Sequence, residues 1–289
     1  MNARQLYFIV VFFTLHGFAA EPADKVPPLP SQGTISPSGA FTAANETTDT
    51  NKNVPRTPDE AEAVLKEALN LKQTGANTYQ IGLVVFDKQK RTVTVPASVR
   101  IRDQVVEYAL VTTKGKTYES VLATEASPVD IQLAVLLLGV SPAPILGGFK
   151  ERAPVPDTNA LKIDVIWETN GLTTTVPLSK LVRLTDGSPN DPGRPMSVDK
   201  WLYNGSQFDR WGFAAQREGS LVALIRDPVA LVNNPGNDRD NDAVHLPNTQ
   251  ILPGVGTPVN VVLHLSERPP PPIPLPGVTP ITPLSTNQY

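Results

Sequence analysis

Cysteine is missing from this 289-residue chain. Its absence excludes disulfides, thiolate metal sites, a cysteine nucleophile and a lipidated N-terminal cysteine. Without such staples the folded part needs a core of fair size. Histidine is scarce: His16, His245 and His264 are the only three, too few for a histidine-rich metal centre. Basic clusters are lacking and the formal net charge is −3. That argues against a nucleic-acid partner, because phosphate binding needs grouped Lys and Arg. There is no Gly-x-Ser-x-Gly elbow, no phosphate-binding glycine loop and no dinucleotide fingerprint. Beyond residue 20 no apolar run reaches the ~20 residues that a transmembrane helix requires.

What is present begins with the first twenty residues. Met1 to Ala20 carries one basic residue, Arg4, then an apolar run from Leu6 to Leu15, then Gly17-Phe18-Ala19-Ala20. This is the pattern of a secretory signal peptide cleaved after Ala20. The apolar run is too short to span a bilayer. The expectation is an exported protein, periplasmic or extracellular, with no transmembrane segment once the signal is removed.

Residues 21–56 read as a disordered linker, with Pro22, Pro27, Pro28, Pro30 and Pro37 among Ser, Thr and Gly. They have little apolar surface with which to offset ordering entropy. Residues 268–289 form a matching tail, where the run Pro269-Pro270-Pro271-Pro272 favours extended polyproline II. Between the arms, residues 57–267 make one globular domain. It opens with a helix over 58–73: Thr57-Pro58-Asp59-Glu60 supplies the N-cap, the first-turn proline and the acidic N3. Ala61, Val64, Leu65, Ala68 and Leu69 follow on one face.

From Tyr79 the pattern becomes β. Strands are expected at Gln80–Phe86, Thr92–Val99, Val105–Val111 and Tyr118–Leu122. A helix follows, with Ser127 as cap and Pro128 at its first position, running through Leu138 to Gly139. It is apolar nearly all round, so it should be buried. Leu161–Glu168 and Leu172–Pro177 alternate on either side of Asn170-Gly171, a strong hairpin signal. Leu178–Val182 reads as a turn of helix and Asp227-Pro228 as the start of a short one. Trp201–Tyr203, Gly212–Ala215, Leu221–Ile225 and Val259–Leu265 read as further strands. The expected fold is α+β. It is mostly antiparallel β, as a sandwich or partly open barrel, with one buried helix and one or two packed outer helices.

Several segments resemble the YdjY-domain family. They are Val106-Glu107-Tyr108, Gly115-Lys116-Thr117-Tyr118-Glu119-Ser120-Val121, the helix from Gln132 to Gly139, Trp201-Leu202-Tyr203-Asn204-Gly205-Ser206, and Gly256-Thr257-Pro258-Val259. The resemblance covers roughly Tyr79 to Ser266. It implies an extracytoplasmic globular domain of exported bacterial proteins without an assigned activity. It brings no catalytic residues.

Three constellations could carry chemistry. Glu107 and Glu119 flank the Lys114-Gly115-Lys116 turn, so antiparallel pairing would bring both carboxylates near Lys116 and Ser120. Two carboxylates in one cleft suit acid–base work or a cation. The alternative is a cross-strand ion pair between Glu107 and Lys116, with Glu119 facing water. Asp238, Asp240 and Asp242 have the alternating spacing that opens a calcium loop. Ala243 and Thr249 stand where an EF-hand has its Gly and closing Glu, which leaves a solvated loop as the competing reading. Asn204-Gly205-Ser206 lies among Trp201, Tyr203, Phe208 and Trp211. That cluster suits stacking on a sugar or peptide, or else a strand–turn–strand with core aromatics.

The function expected is a non-catalytic binding or scaffold domain of the periplasm or cell surface, its partner an envelope protein or a glycan. The alternatives are a carboxylate-dependent hydrolase or transferase using Glu107 and Glu119, and a calcium-stabilised binding module. No cofactor is called for unless that calcium site exists.

Overall fold

The structure is a computed structural model, and it describes residues 67, 69–143, 155–188 and 191–266. The expected signal, the linker and the tail lie outside these residues, as do ten of the sixteen positions of the helix expected over 58–73; of the rest, Glu67 is helical and 69–71 are turn or irregular. The last two positions of that expected helix are strand instead. The elements in chain order are β1 (Lys72–Gln73), β2 (Thr78–Ile81), β3 (Val84–Asp87), β4 (Thr92–Val99), β5 (Tyr108–Thr112) and β6 (Ser120–Thr124). Next come α1 (Pro128–Leu137), β7 (Ala160–Thr169), β8 (Leu172–Pro177), β9 (Val182–Leu184), β10 (Arg194–Pro195) and β11 (Trp201–Tyr203). The last are β12 (Phe208–Asp209), β13 (Gly212–Phe213), α2 (Ala214–Glu218), β14 (Ser220–Ala223), β15 (Val232–Asn233), β16 (His245–Pro247) and β17 (Pro258–Leu265).

Eight strands close a ring in the order β4-β17-β7-β11-β15-β14-β5-β6, and β6 returns to β4 through Ser98↔Ala123 and Val99↔Leu122. Closure removes the open edges that a sheet would otherwise expose. The expected antiparallel sandwich or partly open barrel is thereby corrected to a closed, mixed β-barrel with two helices among the described residues. Two parallel pairs make it mixed: β5 with β6, and β14 with β15. Parallel neighbours normally need a crossover of a dozen residues or more. Here β5 reaches β6 through residues 113–119 alone, and Lys114-Gly115-Lys116 reads locally as a hairpin turn. In this short crossover Gly115 and Gly219 press backbone to backbone: a Cβ on Gly219 would lie 2.7 Å from the Gly115 Cα.

The long strands alternate as sequence patterning demands. Val93 and Val95 of β4, Leu161, Ile163 and Val165 of β7, and Val259, Val261 and Leu263 of β17 are buried and belong to one core. Trp201, Tyr203, Phe86 and Leu110 fill it further. β7 and β8 pair across Asn170-Gly171, whose positive φ values of 53° and 75° are those of a tight hairpin turn. The strand expected over 80–86 is two, because the chain turns back at Gly82 and Leu83 to form the β2–β3 hairpin.

α1 is buried over most of its surface, at Ile131, Leu133, Ala134, Val135 and Leu137. It packs on β3, β4 and α2. Pro128 starts it as expected, but the Ser127 hydroxyl donates to Gln216 Oε1 (2.9 Å) and does not cap it. Two other local expectations change. Gly212–Ala215 is strand only to Phe213 and helix thereafter. Asp227-Pro228 opens a turn closed by Ala230 N–H donating to the Asp227 carbonyl (3.2 Å), not a helix.

Candidate functional site

The parallel pairing of β5 and β6 sets Tyr108 beside Ser120. It therefore brings Glu107 and Glu119 together where the two strands begin. The Glu107 N–H donates to the Glu119 carbonyl (2.9 Å). Lys116 does not bridge to Glu107. Its Nζ lies 3.4 Å from Glu119 Oε1 and donates to the Tyr108 hydroxyl at 3.1 Å. Tyr108 in turn donates to Asp227 Oδ2 (3.1 Å). A chain of charge-assisted contacts thus runs Glu119–Lys116–Tyr108–Asp227. Glu107 stands half-buried beside it. Burial raises its carboxyl above the usual range, and Glu119 raises it further, against the pull of Lys116. Burial also pushes the Tyr108 hydroxyl to about 12. For Lys116, burial works toward a lower value, but Tyr108 and Glu119 outweigh it, so the ammonium stays charged. Ser120 is turned away: its hydroxyl is buried and donates to the Leu122 carbonyl (2.8 Å).

The three aspartates of the 238–242 run do not converge. Asn237–Asp240 forms a 3₁₀ turn. Asp238 points inward, where His245 Nε2 lies 2.8 Å from its Oδ2 and Asn234 Nδ2 donates to the same oxygen at 2.7 Å. Asp240 pairs outward with Arg226 at 2.6 Å. Asp242 is exposed, and its charge is felt at Glu107. Among the described residues no group of three carboxylates or histidines gathers around a point where a metal ion could sit.

The aromatic segment divides in two. Trp201 and Tyr203 are core, and the Tyr203 hydroxyl donates to the buried Gln132 Oε1 (2.6 Å). Asn204 is buried too: it donates to the Ala230 carbonyl (2.7 Å) and accepts from Asn233 Nδ2 (2.8 Å). The Ser206 hydroxyl accepts from Ala215 N–H (3.0 Å), which ties down the start of α2. Phe208 and Trp211 belong to the small β12–β13 hairpin. Phe208 stacks on Phe213 at 4.8 Å but is 50% exposed, and Trp211 is 70% exposed with the Arg210 guanidinium 4.7 Å from its ring. The expected cluster is therefore core at one end and surface at the other.

Sequence reading did not anticipate a cleft on the outer face of the barrel. Its volume is about 510 Å³. Ile163, Pro177, Val198 and Trp201 supply apolar lining; Lys162, Asp164, Asp199, Lys200 and His264 supply polar groups. β17 and β7 set His264 directly opposite Lys162, and His264 Nε2 lies 3.1 Å from Asp164 Oδ2. Lys200 is held at the side by Asp157 at 2.6 Å. The one signal in the sequence was alternation: Lys162, Asp164 and His264 all occupy outward positions of strands whose other face is apolar.

No curated protein and no solved structure matches this chain. The family model described as the YdjY domain matches residues 84–264, a span that runs from β3 to the cleft histidine of β17 and takes in all of the barrel strands except Leu265. The chain belongs to the YdjY-domain family.

Proposed function

We propose that this protein is a non-catalytic binding domain of the cell envelope that takes its ligand in the cleft beside His264. The observation that supports this reading is the make-up of the cleft. Its volume, about 510 Å³, lies within the ~300–1,000 Å³ range of small-ligand sites. A few polar groups of both signs stand beside Pro177 and Val198 in its lining, which suits a segment of an envelope protein or a glycan bearing mixed polarity. The lining contains no hydroxyl or thiol nucleophile. Export, which would bring the domain to such a partner, rests on the composition of residues 1–20.

A second reading has one observation behind it. The carboxyls of Glu107 and Glu119 are adjacent yet differently placed, since Glu119 is paired with Lys116 while the Glu107 carboxyl is raised by burial and by Glu119. Two neighbouring carboxyls in different surroundings are the usual arrangement for an acid and a base. It favours a hydrolase or transferase.

One set of variants separates the two. The mature protein, a Lys162→Ala/His264→Ala variant and a Glu107→Gln/Glu119→Gln variant are each used to capture material from envelope extract and to assay turnover of envelope glycans and peptides. The binding reading expects capture to be lost only in the first variant, with no turnover by any of the three. Capture indifferent to the cleft variant would sink it. Turnover that disappears with the glutamates would establish the second reading.

A further inference from the structure

The barrel ring has no free edge, but β8 is not part of the ring. It pairs with β7 alone. The hairpin closes on Thr169↔Leu172, followed by Trp167↔Thr174 and Val165↔Val176. In a two-residue hairpin the closing pair is hydrogen-bonded, and such pairs alternate along the ladder. The main chain of Leu172, Thr174 and Val176 therefore faces β7. That of Thr173 and Thr175 faces outward. Pro177 falls on the outward side, which is where a strand tolerates a residue without an N–H.

Natural edges are blunted by charge, by bulges or by a covering segment. Over Leu172–Val176 β8 shows none of these among the described residues, and the edge proline that also blunts a strand stands only at its last position, Pro177. Leu172-Thr173-Thr174-Thr175-Val176 carries no charge, its register to β7 is unbroken, and Leu172, Thr173 and Thr175 are exposed.

We propose that β8 pairs with the β8 of a second copy, antiparallel, about a two-fold axis through Thr174. The sequence of the edge is what selects a second copy. In this register Thr173 meets the partner copy's outward-facing Thr175, which gives four main-chain hydrogen bonds and satisfies every outward N–H of the edge. Leu172, 70% exposed in the single chain, meets Val176 of the other copy, a half-buried residue that packs on the core. Both belong to non-hydrogen-bonded pairs, in which side chains come closest. Thr174 meets its own equivalent, and no like charges oppose one another. Pro177 ends the pairing, which confines it to these five residues. The surface involved is small, so the association is weak and concentration-dependent.

The absence of cysteine provides a clean test. In the full mature chain, Thr174→Cys would place two thiols face to face across the axis, whereas Thr173→Cys would set each thiol opposite a threonine. Oxidation should crosslink the first variant into dimers and leave the second largely monomeric. Sedimentation of the unmodified protein should show a monomer–dimer equilibrium. Thr175→Pro, which removes only an outward N–H, should abolish it while leaving the circular dichroism spectrum unchanged. A protein that stays monomeric at every concentration would overturn the proposal, as would equal crosslinking of both cysteine variants. A dimer that survives Thr175→Pro in a folded protein would place the interface elsewhere and also overturn it. A strand from the chain's own arms covering this edge would show as a monomer that dimerises only when residues 21–56 or 268–289 are deleted, and it too would rule out the self-pairing.

Discussion

His245 is fully buried, and its Nε2 sits 2.8 Å from Asp238 Oδ2. The contact joins β16 to the 3₁₀ turn and gives the aspartate a structural task. The other ring nitrogen, Nδ1, is buried without a hydrogen-bond partner among the described residues.

Asp238 should therefore matter to stability. Burial pushes its carboxyl up, but the hydrogen bonds from His245 and Asn234 outweigh burial and hold it below the usual range. A depressed carboxyl contributes stability that is present above its unfolded value of ~3.9 and is lost as pH falls through the lower folded value. Asp238→Ala should cost about 1–3 kcal/mol at pH 7, because it strands buried donors. Asp238→Asn, which keeps an acceptor, should cost less and should flatten the stability profile below about pH 4. Urea titrations at pH 7 and in the acid range measure both.

Glu107 should behave in the opposite way. Its carboxyl is raised by burial and by Glu119, Asp242 and Asp227. A raised carboxyl contributes stability that is complete below its unfolded value of ~4.3 and is lost as pH rises through the higher folded value. Glu107→Gln removes that loss. We expect it to stabilise the protein at pH 7 by less than about 1 kcal/mol, since the side chain is only half-buried and solvent screens it. The gain should shrink in high salt. Thermal unfolding of the two proteins with and without added salt decides this, and a clear destabilisation would contradict it.

Calcium should not stabilise the protein through the 238–242 run. Asp238 is engaged by His245 and Asn234, and Asp240 by Arg226. A native-state ligand at a hundred times its Kd would add about 2.7 kcal/mol, which calorimetry detects easily. We expect no shift in millimolar calcium. A shift that is lost in Asp240→Asn/Asp242→Asn would show that the loop rearranges to bind the ion.

Reading along the chain succeeded where the controlling physics is local. The β7–β8 hairpin was legible because Asn170-Gly171 accepts positive φ at both turn positions. The burial of α1 was legible from its apolar surface. It failed where neighbours in space replace neighbours in sequence. Residues 113–119 look like a hairpin turn but form a parallel crossover, in which Gly115 approaches Gly219, a contact between distant segments. Glu107, Lys116 and Glu119 lie close together through a parallel pairing, where the local pattern suggests an antiparallel one. Lys116 chose Glu119 and Tyr108 because the parallel register, not the antiparallel one, sets Tyr108 beside Ser120.

Composition and local pattern were enough to establish that this is a cysteine-free β domain between proline-rich segments, with its buried helix and its longest strands in place. Those features depend on turn chemistry and on alternation along a single segment. Barrel closure, the two parallel pairs, the separate fates of Asp238, Asp240 and Asp242, and the cleft at His264 depended on register. His264 and Lys162 lie far apart in the chain and meet only because β17 pairs with β7 at one alignment. A slip of one residue would send those side chains to the opposite face of the sheet. No short stretch of sequence specifies that alignment. It follows from matching the apolar faces of all eight strands at once around a shared core.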